Sequence, residues 1–139
     1  MNSILLDTDA IVALVKEDDS NHKKALQLNQ RLKGMKVKSF LSPFTTFETA
    51  TVISYKISHP RAKDFLRSVR ANNLPIVELD KGGELADLWF YKQTKKGTSY
   101  FDCYNMALLE RYKNQINAIF SFDEVYKRNG FTLLEDLKF

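Results

Sequence analysis

Four acidic residues stand where a folding chain gains little from a charge. Asp7 follows the apolar run Ile4-Leu5-Leu6 in "ILLDTDAIVAL", and Asp123 follows Ala118-Ile119-Phe120 in "AIFSFDE". Glu48 lies in "SPFTTFETATVISY" on the stripe marked by Phe44, Val52 and Tyr55, and Asp102 heads the stripe Asp102, Met106, Leu109 in "SYFDCYNMALLERY". If the four carboxylates converge, each pair of charges about 4 Å apart costs roughly 4 kcal/mol at an effective dielectric near 20. Several such pairs would threaten a domain whose net stability is on the order of 5 to 15 kcal/mol. Something positive must then occupy the space between them. No Lys or Arg lies within the immediate motif at Asp7, Glu48 or Asp102, and hard divalent cations prefer oxygen ligands, so Mg²⁺ or Mn²⁺ is expected there. Such an ion generates hydroxide from water, orients an in-line attack on a phosphodiester and offsets charge on the departing oxygen, which makes nucleic acid the expected substrate.

Each acid also has a local explanation. Asp7 and Asp123 each precede a helical segment and can serve as N-caps. Thr45 to Glu48 matches the capping-box pattern fully and Ser99 to Asp102 loosely, although Ser42 followed by Pro43 places the first helix start earlier. Asp9 reads as solvent-facing or capping, and Asp80 in "VELDKGG" as a turn or cap residue.

The elements that must position these acids alternate along the chain. Strand character appears at Ile4–Leu6, Val37–Leu41, Ile76-Val77 and Ala118–Phe120, with a short last run near Thr132–Leu134. Between them the helical period is carried by Ala25, Leu28 and Leu32, by Phe65 with Val69, and by Leu85 with Leu88. Strand and helix in alternation predict an α/β fold, a three-layer sandwich with a central parallel sheet flanked by helices. Asp7 and Asp123 then fall at the carboxyl edge of that sheet, where such folds gather ligands. With no linker, repeat or low-complexity segment, residues 1–139 read as one domain.

Composition narrows the class. A chain of 139 residues with 44% hydrophobic residues can bury one sizeable core, which excludes a disordered or fibrous protein. No uncharged run approaches the roughly 18 residues of a membrane span, and the N-terminus has no basic stretch leading into a long apolar one, so a soluble, unexported, cytoplasmic protein is expected. The single cysteine, Cys103, cannot form an internal disulfide and reads as a small packed side chain; no Cys/His spacing suits zinc. A net charge of +4 and a pI near 9.1 make a polyanionic partner plausible.

The segments "ILLDTDA", "FETATVI", "SYFDCYNMALLE" and "FSFDEVY", in this order over essentially the whole chain, resemble the four acidic motifs of the PIN domain, and the size is similar to that of VapC-like toxins of toxin–antitoxin systems. The resemblance implies a PIN-like fold and a metal-dependent endoribonuclease, the toxin of a type II system. It implies Asp7 and Asp102 as principal Mg²⁺ ligands, Glu48 as a further ligand or the group orienting the attacking water, and Asp123 as completing a second or weaker site. Thr8 and Ser121 stand where the family often has a hydroxyl that holds carboxylates or water. A homodimer, an RNA substrate and an antitoxin covering the cleft are implied as well. Asp9 departs from the commoner Ser or Asn and leaves the metal stoichiometry open.

For RNA, the loop "YKQTKKGTSY" sets Lys92, Lys95 and Lys96 just ahead of Asp102 and reads equally as solvated surface, while Lys63, Arg67 and Arg70 share a helical face that reads more readily as solvated surface. Tyr100 or Tyr104 is a candidate for stacking a base. Two alternatives stay open. "DTDAI" also resembles the D-x-D opening of haloacid-dehalogenase-type phosphatases, with Asp7 as nucleophile and Asp9 as general acid, though that leaves Glu48 without a role. A non-catalytic PIN-fold module that binds RNA or protein is the other. Ser/His/Asp catalysis is disfavoured because His22 and His59 read as surface or turn residues, and five scattered glycines form no phosphate-cradling loop.

Overall fold

The computed structural model describes residues 3–138. Strand β1 (Ser3–Leu6) leads into helices α1 (Thr8–Val15) and α2 (His22–Gly34), then β2 (Lys38–Phe40), α3 (Pro43–Lys56), α4 (His59–Ala71), α5 (Gly82–Lys92), α6 (Tyr100–Arg111), β3 (Ile116–Phe120) and α7 (Glu124–Arg128), with a 3₁₀ turn at Leu134–Asp136. The sheet is parallel in the order β2-β1-β3. Central β1 is buried on both faces, as its unbroken apolar run requires.

Residues alternate across that sheet. Ile4, Ala118 and Phe120 face α1 and α2 through Ala10, Ala13, Ala25, Leu28 and Leu32. Leu5 and Ile119 face the opposite layer, where Met106, Leu108 and Leu109 of α6 and Val125 and Tyr126 of α7 pack. Helices α3 and α4 close against α1 through Val12, Ile53 and Ala62. The result is the expected three-layer α/β sandwich.

Two expected strands shrink. Ile76 pairs with Leu41, and Leu133 with Ile119, as isolated parallel bridges at the two edges. Pro75, which has no N–H to donate, precedes the first, and the chain turns into the 3₁₀ segment directly after the second. The helical periods hold, but two of the presumed apolar stripes face outward. On α3 the buried residues are Thr45, Thr46, Thr49 and Ile53, while Phe44 and Tyr55 are exposed. On α5 Ala86 points inward, whereas Leu85 and Leu88 are exposed. Large apolar residues therefore lie on the surface on α3 and α5, while α3 buries small hydroxyl residues, Thr49 among them against Thr8 of α1. No described helix is long and apolar enough to cross a membrane.

Candidate active site

Asp7 leaves β1 in extended conformation and caps α1, its Oδ1 accepting the Thr8 N–H at 2.9 Å. The same geometry recurs after β3, where Asp123 caps α7 by accepting the Val125 N–H at 3.0 Å. Both capping readings are therefore realised, yet neither uses up the carboxylate. The parallel sheet brings the ends of β1 and β3 side by side, and the Asp7 N–H bonds Phe120 O at 3.1 Å.

The two helical acids enter from opposite layers. Ser42 caps α3 by accepting from Phe44 and Thr45, so Glu48 lies a turn and a half inside the helix and is not part of a capping box. Its Oε1 accepts the Thr8 hydroxyl at 2.6 Å. Thr8 has one proton and spends it there, so Thr49, 3.0 Å away, is the donor to Thr8. Ser99 caps α6 through the Phe101 N–H, which leaves Asp102 free to turn inward, 3.0 Å from the Tyr126 hydroxyl. Asp7, Glu48, Asp102 and Asp123, with Thr8 and Asp9, line one cavity of about 350 Å³, whose rim includes Asp19, Ser20, Asn21 and Lys56.

Asp7 is buried and fully solvated by protein donors: Thr8 N–H and Asn105 Nδ2 (3.3 Å) reach Oδ1, and Ser121 Oγ and the Tyr126 hydroxyl, both at 2.9 Å, reach Oδ2. These four donors match the roughly four lone-pair sites of a carboxylate. Burial still holds its pKa well above the usual range, reinforced by the charges of Asp9 and Asp102 and opposed by Tyr126 and Ser121. Burial likewise raises Asp102, to about 6, with Asp123, Glu48 and Asp9 adding to the shift against the Tyr126 bond. Protons on these acids and a cation among them are alternative answers to the same repulsion.

Asp9 corrects one expectation. It is neither solvent-facing nor capping α1: Oδ2 accepts the Phe122 N–H at 2.9 Å, and Oδ1 is buried with no hydrogen-bond partner among the described residues. Burial raises its pKa, the Phe122 N–H opposing. Sequence reading also passed over Tyr126, Asn105 and Lys56. Tyr126 and Asn105 lie within the acidic motifs, and nothing in the spacing marks them. Lys56 is found by extending the Glu48 helix two turns.

Other candidates fall outside the cavity lining. Lys92 stacks over Trp89 at 4.2 Å, and Lys95 and Lys96 are exposed in the α5–α6 loop. Lys63, Arg67 and Arg70 are exposed on α4, with Arg67 paired to Asp64. Tyr104 is buried against Phe44 and accepts the Leu79 N–H, so it is unable to stack a base; Tyr100 is partly exposed and bonds Gly83 O. His22 bonds Ala13 O, His59 is exposed beside Ser54, Asp80 lies exposed in a turn, and Cys103 is buried.

Among the described residues no three acidic, histidine or cysteine side chains are already assembled as an ion's ligand set. The chemistry of the donors nonetheless fits a hard divalent cation: carboxylate oxygens from four separate segments, no ion pair to any of them among the described residues, and the orphaned Asp9 Oδ1. Asp7 would have to give up one of its four donors to take part. The long Asn105 contact, at 3.3 Å, is the weakest held.

The model of the PIN domain family matches residues 4–132. Among solved structures, the crystal structure of Mycobacterium tuberculosis VapC20, a sarcin–ricin-loop-cleaving toxin, aligns with a TM-score of 0.76 at 22% identity, covering 93% of this chain and 96% of that one. No curated protein matches the sequence.

Proposed function

The chain belongs to the PIN domain family, with the match spanning residues 4–132, and from that premise we propose that it is a metal-dependent endoribonuclease, the toxin of a type II toxin–antitoxin system. One observation carries the reading: acids from β1's end, α3, α6 and the turn before α7 line a single cavity, and two of them have pKa values driven upward by burial and then by their neighbours' charges. The fold shared with a toxin that cleaves the sarcin–ricin loop supports RNA as the substrate class and an antitoxin as partner.

In this reading residues 1–139 act as one PIN-like domain. Asp7 and Asp102 are the principal ligands for Mg²⁺ or Mn²⁺, Glu48 is a further ligand or orients the attacking water, and Asp123 at the exposed rim completes a second or weaker site. The bound ion supplies a Lewis acid and a hydroxide at neutral pH. Thr8 aims Glu48 and Ser121 holds Asp7, so both acids are fixed before substrate arrives. Lys56, the basic residue on the cavity rim, meets an RNA phosphate, while Lys92, Lys95 and Lys96 lie farther out and act through long-range attraction. Exposed Phe47 and Tyr55 on α3 and Leu88 and Tyr91 on α5 offer apolar surface for a homodimer. The cytoplasm is the expected setting, with the lone cysteine buried.

The phosphatase alternative is set aside because the family match points elsewhere. Incubation of the protein with structured RNA tests the proposal. Cleavage should require Mg²⁺ or Mn²⁺, stop with chelator, and vanish in Asp7→Asn and Asp102→Asn with the fold retained. Parental rates in both variants would refute it, and RNA binding without cleavage under any metal would favour the non-catalytic module.

A further inference from the structure

Asp7 and Asp102 come from a strand end and a helix start far apart in the chain, and neither element fixes one carboxylate against the other. A single hydroxyl spans them. Tyr126 is fully buried, its ring packed in the cluster that holds Leu5, Met106 and Ile119, so its position is set by core packing. Its phenol oxygen lies 2.9 Å from Asp7 Oδ2 and 3.0 Å from Asp102 Oδ1. Asn105, three residues along α6 from Asp102, approaches from a third side: its Nδ2 donates to the phenol at 3.1 Å and to Asp7 Oδ1 at 3.3 Å.

The amide holds this orientation at a cost. Asn105 is 2% exposed, and its Oδ1 has no hydrogen-bond partner among the described residues. A native core rarely leaves a buried carbonyl oxygen unpaired, so the exception calls for a reason. Flipping the amide would turn that oxygen toward a carboxylate and toward a phenol that already faces two acceptors. The donor end is what the site needs.

We propose that Tyr126, held by Asn105, is a positioning residue that sets the spacing of Asp7 and Asp102 and thereby their joint affinity for a divalent cation. The inference rests on the metal-dependent reading above and adds to it a brace from the far side of the core. Removing a partner that orients a metal ligand commonly weakens binding by about 10- to 100-fold.

Calorimetric titration with Mn²⁺ tests this on three proteins: the parental chain, Tyr126→Phe, which keeps the ring and loses only the hydroxyl, and Val69→Ala, a core truncation between α4 and α1 away from the acids. Tyr126→Phe should bind Mn²⁺ about 10-fold or more weakly while remaining folded by circular dichroism. Val69→Ala should melt lower and bind as the parental chain does. Should Tyr126→Phe fail to fold, Asn105→Ala, which frees the phenol without removing it, takes the same titration with the same expected loss. Parental Mn²⁺ uptake together with Tyr126→Phe affinity within about twofold of it overturns this inference alone, as does an equal loss in Val69→Ala. No uptake by the parental chain overturns both this inference and the functional reading.

Discussion

Replacing Asp102 by Asn should abolish metal binding and yet stabilise the metal-free protein at neutral pH. Burial first, then the charges of Asp123, Glu48 and Asp9, raise the Asp102 pKa from 3.8 to about 6. A carboxyl that holds its proton more tightly folded than unfolded stabilises the fold while protonated; that contribution is complete below pH 3.8 and is lost as the pH rises through about 6. The difference corresponds to about 3 kcal/mol, an upper bound because the carboxyl is partly exposed and solvent screens it. About 2 kcal/mol of this falls between roughly pH 4.5 and pH 7.5. Asp7 and Asp9, also raised, add to the loss in the same direction. The substituted amide carries no charge and can turn its NH₂ to the Tyr126 oxygen, whose single proton stays with Asp7. Urea unfolding in chelator at the two pH values is the assay. The parental protein should lose stability on going to the higher pH, and the variant should lose up to about 2 kcal/mol less, appearing as a higher urea midpoint than the parental one at pH 7.5. Adding Mg²⁺ should reverse the order. A metal-free parental protein whose stability holds or rises over that window, or a variant no more stable than it at pH 7.5, would refute the electrostatic reasoning.

Lys56→Ala should raise KM for RNA several-fold with kcat nearly unchanged, since a phosphate contact binds ground and transition states alike; steady-state cleavage of a short fluorescent RNA measures it. In the proposed homodimer, Phe47→Asp should give monomer by light scattering where the parental chain gives dimer, because a charge on an exposed aromatic of α3 cannot be buried against a second copy. Asp9→Asn should raise metal-free stability at pH 7.5, by less than Asp102→Asn, because it relieves the repulsion on Asp7 and Asp102 while its side-chain oxygen keeps the Phe122 N–H; the same urea experiment checks it.

The layers were readable because alternating strand and helix patterns fix them with little else. Ile4 and Leu5 in central β1 and Ala118–Phe120 in β3 are all buried, and short, fully apolar runs of this kind read as strands. The edges were harder to read: Ile76 and Leu133 have strand-like neighbours but meet the sheet at one bridge each, and pairing length depends on how far the chain runs alongside its neighbour. Helix faces misled for a similar reason. Phe44, Val52 and Tyr55 share a stripe, but α3 buries Thr45, Thr46, Thr49 and Ile53 instead, and it meets α1 through Thr49 on Thr8 and Ile53 beside Val12. The acids stood out because charges on apolar stripes or behind buried strands are costly. Tyr126 and Asn105 gave no such signal. A tyrosine in a core helix is ordinary, and that its hydroxyl reaches Asp7 and Asp102 depends on how α7 and α6 pack, which the sequence does not print.

The central claim is that carboxylates from distant segments share one cavity which a divalent ion makes tolerable. Diffraction from crystals grown with Mn²⁺, recorded where manganese scatters anomalously, tests it most directly. The account predicts an anomalous peak inside the cavity within coordination distance of Asp7 and Asp102 oxygens, absent in crystals of Asp102→Asn. Saturating Mn²⁺ with no peak among these acids, each still tied to its own amides and hydroxyls, would contradict it.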